Sequence, residues 1–365
     1  MFRSVASSSI AFLSIIFTFS AVGQIPDKSL ITLSDCWRYQ TESLVLQRPA
    51  VDSSNLYMAE RGGRISAISL ATGARLWATE LGGEVRSNIA LFGSNLYVVA
   101  GPAIDGEPKG NGRLRTLSGN TGIPVAEMDM PFGGRIRLVP LASRLILVSD
   151  SGNIAAVNSD SNSVLWQKAF SPVEPDTVVA WDDKIAFAGS DSRIYVISAG
   201  AGTNLNTAAA DRLVSALGVV DNDLVWGDDR GNLVRYSLSK NSVYWRFKNG
   251  ARISSIVGTS VGVVATSNDN FAYLISSSYG SVRWKKRLSG RIANLTVGDG
   301  GIAIAETIGD PNAVILDLDN GKSVGLSTIA DEEAFLQAPV YVAGRFVFFT
   351  NRQVIARSTG QCTAK

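Results

Sequence analysis

The chain has 365 residues, of which 45% are hydrophobic, and it carries 34 lysines and arginines against 32 aspartates and glutamates. This length and apolar content suffice for one large β domain or two ordinary domains, so composition leaves the domain count open. A formal net charge of +2, with no basic run along the chain, argues against a nucleic-acid-binding protein. Charge therefore identifies no class of partner.

The N-terminus has the pattern of a secretory signal peptide. Arg3 precedes an apolar run over residues 10–19, and small residues at positions −3 and −1 suit cleavage between Gly23 and Gln24. The run is shorter than the roughly 20 apolar residues of a transmembrane helix. We therefore expect residues 1–23 to be removed on export, with an uncleaved membrane anchor as the alternative.

Two cysteines, Cys36 and Cys362, lie near opposite ends of the chain, and the chain has no histidine. In an exported protein, an oxidising compartment favours a disulfide between them. Metal binding is the weaker interpretation, because two distant thiols without a histidine make an incomplete zinc site. A disulfide between such distant residues requires a fold that brings the two ends of the chain together.

Short alternating segments predict β-strands in groups of four. Residues 44–81 contain LVLQRPAV, SNLYMAE, GRISAISL and RLWATEL, joined by turns rich in Ser, Gly, Asn and Asp. The tryptophan of the fourth segment defines a marker position, which recurs along the chain at Trp77, Ala126, Trp166, Asn206, Trp245, Trp284 and Gly325. A period of about 40 residues with four strands per unit is the signature of a β-propeller.

The last repeat ends one strand short, since no fourth strand follows AFLQAPVYV, GRFVFFT and RQVIARS. Trp37 stands one repeat length before Trp77, in a segment with the fourth-strand pattern. The sequence therefore predicts an all-β fold: residues 24–365 form one eight-bladed β-propeller of four-stranded antiparallel blades, with the N-terminal strand completing the last blade. This closure hides two open sheet edges and brings Cys36 beside Cys362.

The recurring tryptophans have a structural explanation. One tryptophan at the same position of five blades indicates packing between neighbouring blades, rather than a ligand platform, for Trp37, Trp77, Trp166, Trp245 and Trp284. The G-x-S-x-G pattern at 258–262 lacks the strand-to-helix context and the histidine base of a serine hydrolase. Carboxylate pairs at 182–183, 228–229 and 332–333 lie at or near turns, where we expect them to be solvated. No catalytic, metal or cofactor site is predicted.

Units such as GRISAISLATGARLW and GNLVRYSLSKNSVYW resemble repeats of the pyrroloquinoline-quinone-type propeller superfamily. With eight units, a leader and closure by the N-terminal strand, residues 34–360 resemble the BamB family of outer-membrane protein assembly factors. The resemblance implies a non-enzymatic periplasmic scaffold that docks on the POTRA domains of BamA and on other barrel-assembly components. It also implies a monomer within a complex, held at the outer membrane through partners. BamB proteins typically carry a lipidated cysteine at the mature N-terminus, which this chain lacks.

Two alternatives share the predicted fold. Another exported propeller could bind a different protein, since a shared fold does not determine function. A quinone-dependent dehydrogenase resembles the chain less, because those enzymes are usually longer and many carry a vicinal disulfide, whereas this chain has no adjacent cysteines. Dye reduction with added quinone and calcium would distinguish the enzyme from the binding proteins.

The face that carries the links between blades is the predicted binding surface. It also carries an insertion at 101–111, between the second and third strands of the second repeat. By position within the repeat, the BamB loops that contact BamA correspond to SPVEPD at 171–176 and NTAAADR at 206–212. Their charged residues are the candidate contacts, with the arginine first because its rigid donor fork suits interfaces: Glu174, Asp176, Asp211 and Arg212.

Overall fold

The computed structural model describes residues 30–104, 107–141 and 143–362, and in this part of the chain the strands form eight antiparallel sheets arranged as the blades of a propeller. The predicted fold class is confirmed. The proposed leader, residues 1–23, lies outside the described residues. The described chain also contains two short 3-10 helices and a two-stranded hairpin: Pro175–Thr177, Asp299–Gly301, and Ala103–Ile104 with Glu107–Pro108.

Each blade is a meander of four strands, counted from the propeller axis outward, and the first strand of blade two is split into two pieces. The strands of blades one to four are Ala50–Val51, Asn55–Ala59, Arg64–Ser69, Arg75–Glu80; Glu84–Val85 with Ala90–Phe92, Asn95–Gly101, Arg113–Ser118, Pro124–Asp129; Ile136–Leu141, Arg144–Ser149, Asn153–Asn158, Val164–Ala169; and Val179–Trp181, Lys184–Ala188, Arg193–Ser198, Asn204–Ala209. Those of blades five to eight are Val214–Val220, Asp223–Asp228, Asn232–Ser237, Ser242–Lys248; Ile253–Thr259, Gly262–Ser267, Phe271–Ile275, Val282–Arg287; Ile292–Gly298, Ile302–Thr307, Asn312–Asp317, Ser323–Thr328; and Phe335–Val342, Arg345–Thr350, Gln353–Ser358, Ser34–Gln40.

The ring closes in blade eight, where Ser34–Gln40 pairs antiparallel with Gln353–Ser358. An ion pair supports this ladder: the Asp35 carboxylate accepts hydrogen bonds from Arg357 Nε at 2.6 Å and from Arg38 Nε at 2.8 Å. Burial by itself raises the pKa of Asp35, but the two guanidinium groups outweigh it and hold that pKa below its ordinary value. The predicted closure by the N-terminal strand is confirmed.

The hydrophobic core of the described chain lies between the blades, in eight clusters that each join two neighbouring blades. Leu56 of blade one, for example, packs in one cluster with Val347 and Phe349 of blade eight. All six residues of Arg345–Thr350 are buried, since a second strand is covered on both faces. This two-sided burial explains why the inner strands read as continuous apolar runs.

A β-bulge recurs at the marker position of every fourth strand in the described chain. Trp77 pairs with Ala67 of the third strand, and the residue before it has no partner. The other blades show the same register, with pairs Ala126–Thr116, Trp166–Ala156, Asn206–Val196, Trp245–Arg235, Trp284–Leu274, Gly325–Ile315 and Trp37–Ala356. The repeat frame is therefore correct in all eight blades, whether or not the position holds a tryptophan.

Candidate partner-binding face

Five tryptophans connect neighbouring blades through their indole nitrogens. Each Nε1 donates a hydrogen bond of 2.6–3.0 Å to a backbone carbonyl of the next blade: Trp37 to Leu70, Trp77 to Gly119, Trp166 to Ala199, Trp245 to Ser277 and Trp284 to Leu318. The hairpin turn that supplies each carbonyl also has a glycine packed against the indole ring, and a Cβ on Gly280 would come within 2.8 Å of the Trp245 ring. The indoles thus contact both the sheet of one blade and the outer turn of the next.

We expect Trp284→Phe to lower the free energy of unfolding by about 1–3 kcal/mol, because it leaves the buried carbonyl of Leu318 without its donor. Urea denaturation measures this loss. Trp181 offers a matched control, since its Nε1 is buried and has no partner in the described residues. Trp181→Phe should leave stability unchanged or raise it, and equal losses in the two variants would show that the hydrogen bond contributes nothing.

The two cysteines form the predicted disulfide, with an S–S distance of 2.11 Å and a Cα–Cα distance of 5.0 Å. Cys36 is the bulged residue immediately before Trp37. Cys362 follows the third strand of blade eight, where the other blades have the hairpin turn into their fourth strand. The disulfide therefore takes the place of a hairpin turn that the broken chain of blade eight lacks.

The links between blades lie on one side of the disc, because each strand runs antiparallel to the one before it. The long turn between the second and third strands of blade two lies on the same side. We call this side the link face; its described residues include 41–49, 81–83, 102–104, 107–112, 130–135, 170–178, 210–213, 249–252, 288–291 and 329–334. All four candidate contact residues are on it.

Glu174 and Asp176 lie in the link into blade four, around the 3-10 helix Pro175–Thr177. Both share one cation: Arg135 lies 3.1 Å from the Glu174 carboxylate and 3.7 Å from that of Asp176. The three side chains are all more than half exposed. They form a charged patch in contact with water on the link face.

Asp211 and Arg212 lie in the next link, residues 210–213, which is shorter than predicted. The fourth strand of blade four runs to Ala209, so the first four residues of 206–212 belong to the strand. The sequence NTAA lacks a strand-like apolar pattern, but its backbone completes the ladder with the third strand. Asp211 pairs with Arg246 at 2.7 Å. Arg212 is exposed and its side chain forms no hydrogen bond or ion pair with the described residues.

The two links are neighbours in space, because Pro175–Thr177 packs against Val214–Val220, the first strand of blade five. The structure therefore brings the predicted contact residues of both links onto adjoining parts of the link face. The arrangement offers a partner two carboxylates on one side and an unengaged guanidinium on the other.

The insertion of blade two is anchored by Arg86, a residue that sequence reasoning missed. Its guanidinium donates hydrogen bonds of 2.5–2.8 Å to the carbonyls of Pro102, Lys109 and Gly110. Arg86 itself lies between the two pieces of the first strand of blade two, so one side chain ties the base of the insertion to that strand. A single arginine at such a position has no sequence pattern that distinguishes it from a solvated charge.

The carboxylate pairs predicted to be solvated are not all so. Asp228 is buried, and its Oδ1 accepts hydrogen bonds of 2.9 Å from the backbone amides of Arg230 and Asn232, which closes a tight turn. No three His, Cys, Asp or Glu side chains of the described residues are grouped so as to hold a metal ion. In the same part of the chain, no helix has the length and apolar character to cross a membrane.

Fold and site together define an eight-bladed propeller whose inter-blade links lie on one face and carry a patch of exposed charges. A model of the family described as outer membrane protein assembly factor BamB matches residues 34–247, and the chain belongs to that family. The BamB protein of Shewanella oneidensis is 23% identical over 227 residues, which cover 58% of this chain and 55% of that protein. The match thus spans little more than half the length of this curated relative.

Solved structures share the fold across nearly the whole chain. BamB from Moraxella catarrhalis has a TM-score of 0.74 at 16% identity, covering 90% of this chain and 98% of that one. The computationally designed Ika8 protein has a TM-score of 0.73 at 14% identity, covering 90% and 100%. The C-terminal WD40 domain of Sif2 has a TM-score of 0.73 at 13% identity, covering 92% and 100%. Such likenesses show a common fold and not a common partner.

Proposed function

We propose that the protein is a non-enzymatic periplasmic scaffold of the machinery that assembles outer-membrane β-barrel proteins. It acts without a cofactor, as a monomer within a complex, by binding the POTRA domains of a BamA-type partner and other barrel-assembly components. These partners hold it at the outer membrane. The observation that carries the proposal is the match of residues 34–247 to the BamB family.

The link face is the proposed docking surface, with Arg212 as the first candidate contact. Its guanidinium is exposed, and the neighbouring Leu213 leaves 50% of its surface in contact with water. An arginine fork beside apolar surface is a combination enriched among residues that dominate binding energy. The second and third strands of the blades are mostly buried and regularly paired, so the links are presented on a rigid support.

The acidic residues of the patch can exchange their ion-pair partner at little cost in folding free energy. Glu174 and Asp176 share Arg135 through exposed ion pairs, which contribute only about 0–1 kcal/mol each to stability. A cation of a docking protein can therefore replace Arg135 without a large loss of folding free energy.

We expect the double variant Arg212→Glu with Asp176→Arg to abolish capture of a purified POTRA-containing partner, because it reverses the charge on both sides of the patch. A pull-down with immobilised partner measures this. The melting temperature and the β-sheet circular dichroism should remain those of the wild type, since both side chains are exposed.

The matched control is Asp160→Arg with Lys240→Glu, which makes the same two charge reversals in hairpin turns on the opposite side of the disc. This variant should bind normally. Undiminished capture by the link-face variant would exclude the patch, whereas failure of the wild type to bind any POTRA domain would exclude the partner. Dye reduction by the wild type with added quinone and calcium would instead indicate a dehydrogenase.

A further inference from the structure

The central channel of the propeller contains a cavity of about 430 Å³, formed by the first strands of blades one to four. Its wall includes Arg48 and Arg137 among apolar side chains such as Ile89, Leu138 and Val178. A cavity of this size, with a few placed polar groups in its wall, can hold a small ligand. Arg48 is exposed to solvent, whereas Arg137 is only partly exposed, and keeping a charged group partly away from water costs free energy unless a partner compensates it.

Three consecutive blades carry Arg48, Asn88 and Arg137 at equivalent positions. Each lies two residues before the first-strand residue that pairs with the third residue of the second strand of its blade. Asn88 is fully engaged with the next blade: its Nδ2 donates to the Leu138 carbonyl at 3.0 Å, and its Oδ1 accepts from the Leu138 amide at 2.8 Å. The two guanidinium groups therefore flank a satisfied amide at one level of the channel, near the link face.

Neither guanidinium is neutralised by its surroundings. Within the described residues, the side chains of Arg48 and Arg137 form no hydrogen bond or ion pair, and Nε of Arg137 is buried. Burial, and then the positive charge of Arg48, lower the pKa of Arg137 to about 10, against a smaller opposing effect of Asp176. Asp176 itself is 83% exposed and pairs with Arg135. The two channel arginines thus repel each other and keep their donors free.

We propose that this part of the channel, the channel site, binds a small organic dianion, with one carboxylate on Arg48, one on Arg137 and the carbon frame spanning the channel wall between them. Each guanidinium has five N–H donors in a fork that matches a carboxylate. Two negative charges would also remove the repulsion between the arginines. The dianion arrives either as a free molecule or as two acidic side chains of a polypeptide reaching in from the link face.

Titration with succinate tests the site, with sodium chloride at the same ionic strength as the reference. The wild type should show a saturable rise in melting temperature, because a ligand that binds the folded state stabilises it. Arg48→Gln and Arg137→Gln should each weaken succinate by about tenfold or more. Propionate, with one carboxylate, should bind more weakly by a similar factor. Arg352→Gln is the matched control, since Arg352 is exposed and outside the cavity wall.

A capped tetrapeptide with two adjacent aspartates, titrated in parallel, identifies the source of the dianion. Saturable binding of succinate alone assigns the site to a free dicarboxylate, and binding of the peptide alone assigns it to a polypeptide. Both glutamine variants should fold, because each removes a charge that the other arginine repels. If one variant fails to fold, the other still tests the site. Absence of saturable binding by the wild type, or binding undiminished in the variants, overturns the proposal.

Discussion

Loss of the Cys36–Cys362 disulfide is expected to lower the free energy of unfolding by about 2–5 kcal/mol. The two cysteines are 326 residues apart, so the bond closes nearly the whole described chain into one loop and strongly restricts the unfolded state. It also anchors the strand that closes the ring. Urea denaturation of the wild type and of Cys36→Ser, each with and without reductant, measures the difference.

The single and double cysteine variants provide the internal control. Cys36→Ser, Cys362→Ser and the double variant should all lose the same free energy, since each removes the same bond, and the reduced wild type should coincide with them. Amide exchange should accelerate most in Ser34–Gln40 and Gln353–Ser358, whose ladder the bond secures. Coincident denaturation of oxidised and reduced wild type would show that strand pairing alone closes the ring.

Glu306→Gln is expected to raise the free energy of unfolding by about 2–4 kcal/mol at pH 8 or above, with little effect near pH 4. The Glu306 side chain is fully buried on the same strand face as Ile304, which packs against blade eight. Its Oε2 accepts a hydrogen bond from Asn294 Nδ2 at 2.9 Å, whereas Oε1 has no partner in the described residues. Burial raises the pKa of Glu306 to about 8, and the hydrogen bond from Asn294 opposes this rise.

The sign of the pH dependence follows from the raised pKa. Between the ordinary glutamate pKa of 4.5 and the folded-state pKa of about 8, the folded protein holds a proton that the unfolded chain has released. The contribution of Glu306 to stability is therefore fully present below about pH 4.5, falls as the pH rises, and is lost above about pH 8. The glutamine variant cannot ionise and lacks this dependence.

Urea denaturation of the wild type and Glu306→Gln from pH 5 to pH 9 gives the difference curve. Glu332→Gln is the control, because Glu332 is exposed and, among the described residues, its one ion pair is a 3.6 Å contact with Arg352. A difference between wild type and Glu306→Gln that stays constant across this range would mean that Glu306 does not titrate there. A raised stability at high pH in both variants would point to net charge and not to burial.

Repeat architecture was predictable because its causes are local in sequence. Blades of four short strands bury their inner strands on both faces and pack each marker residue against the next blade, so composition and spacing carry the signal. The last repeat lacks a fourth strand, and Trp37 lies one repeat length before Trp77, so together they predicted closure of the ring by the N-terminal strand. That closure in turn predicted the disulfide. The position of the insertion at 101–111 was equally visible, because it lengthens one repeat.

The structure also refined local features that share these patterns. The link into blade five is only 210–213, since the polar segment before it is held as strand by backbone pairing that no side chain reveals. Asp228 is buried although its neighbours indicate an exposed turn, because its carboxylate satisfies the turn's own amides. Secondary-structure propensity reflects the side chains, whereas the strand at 206–209 and the burial of Asp228 both depend on hydrogen bonds of backbone amides and carbonyls.

Chemistry that arises between blades was decided by the tertiary structure alone. Arg48 and Arg137 belong to different blades, and only the ring places them on one cavity wall. Arg86 becomes an anchor because an insertion folds over it, and Glu306 becomes a buried acid because blade eight covers its strand. Sequence periodicity reflects the features that every blade shares. Charge pairing and desolvation depend on which residues of separate blades meet, and that is a property of the closed ring.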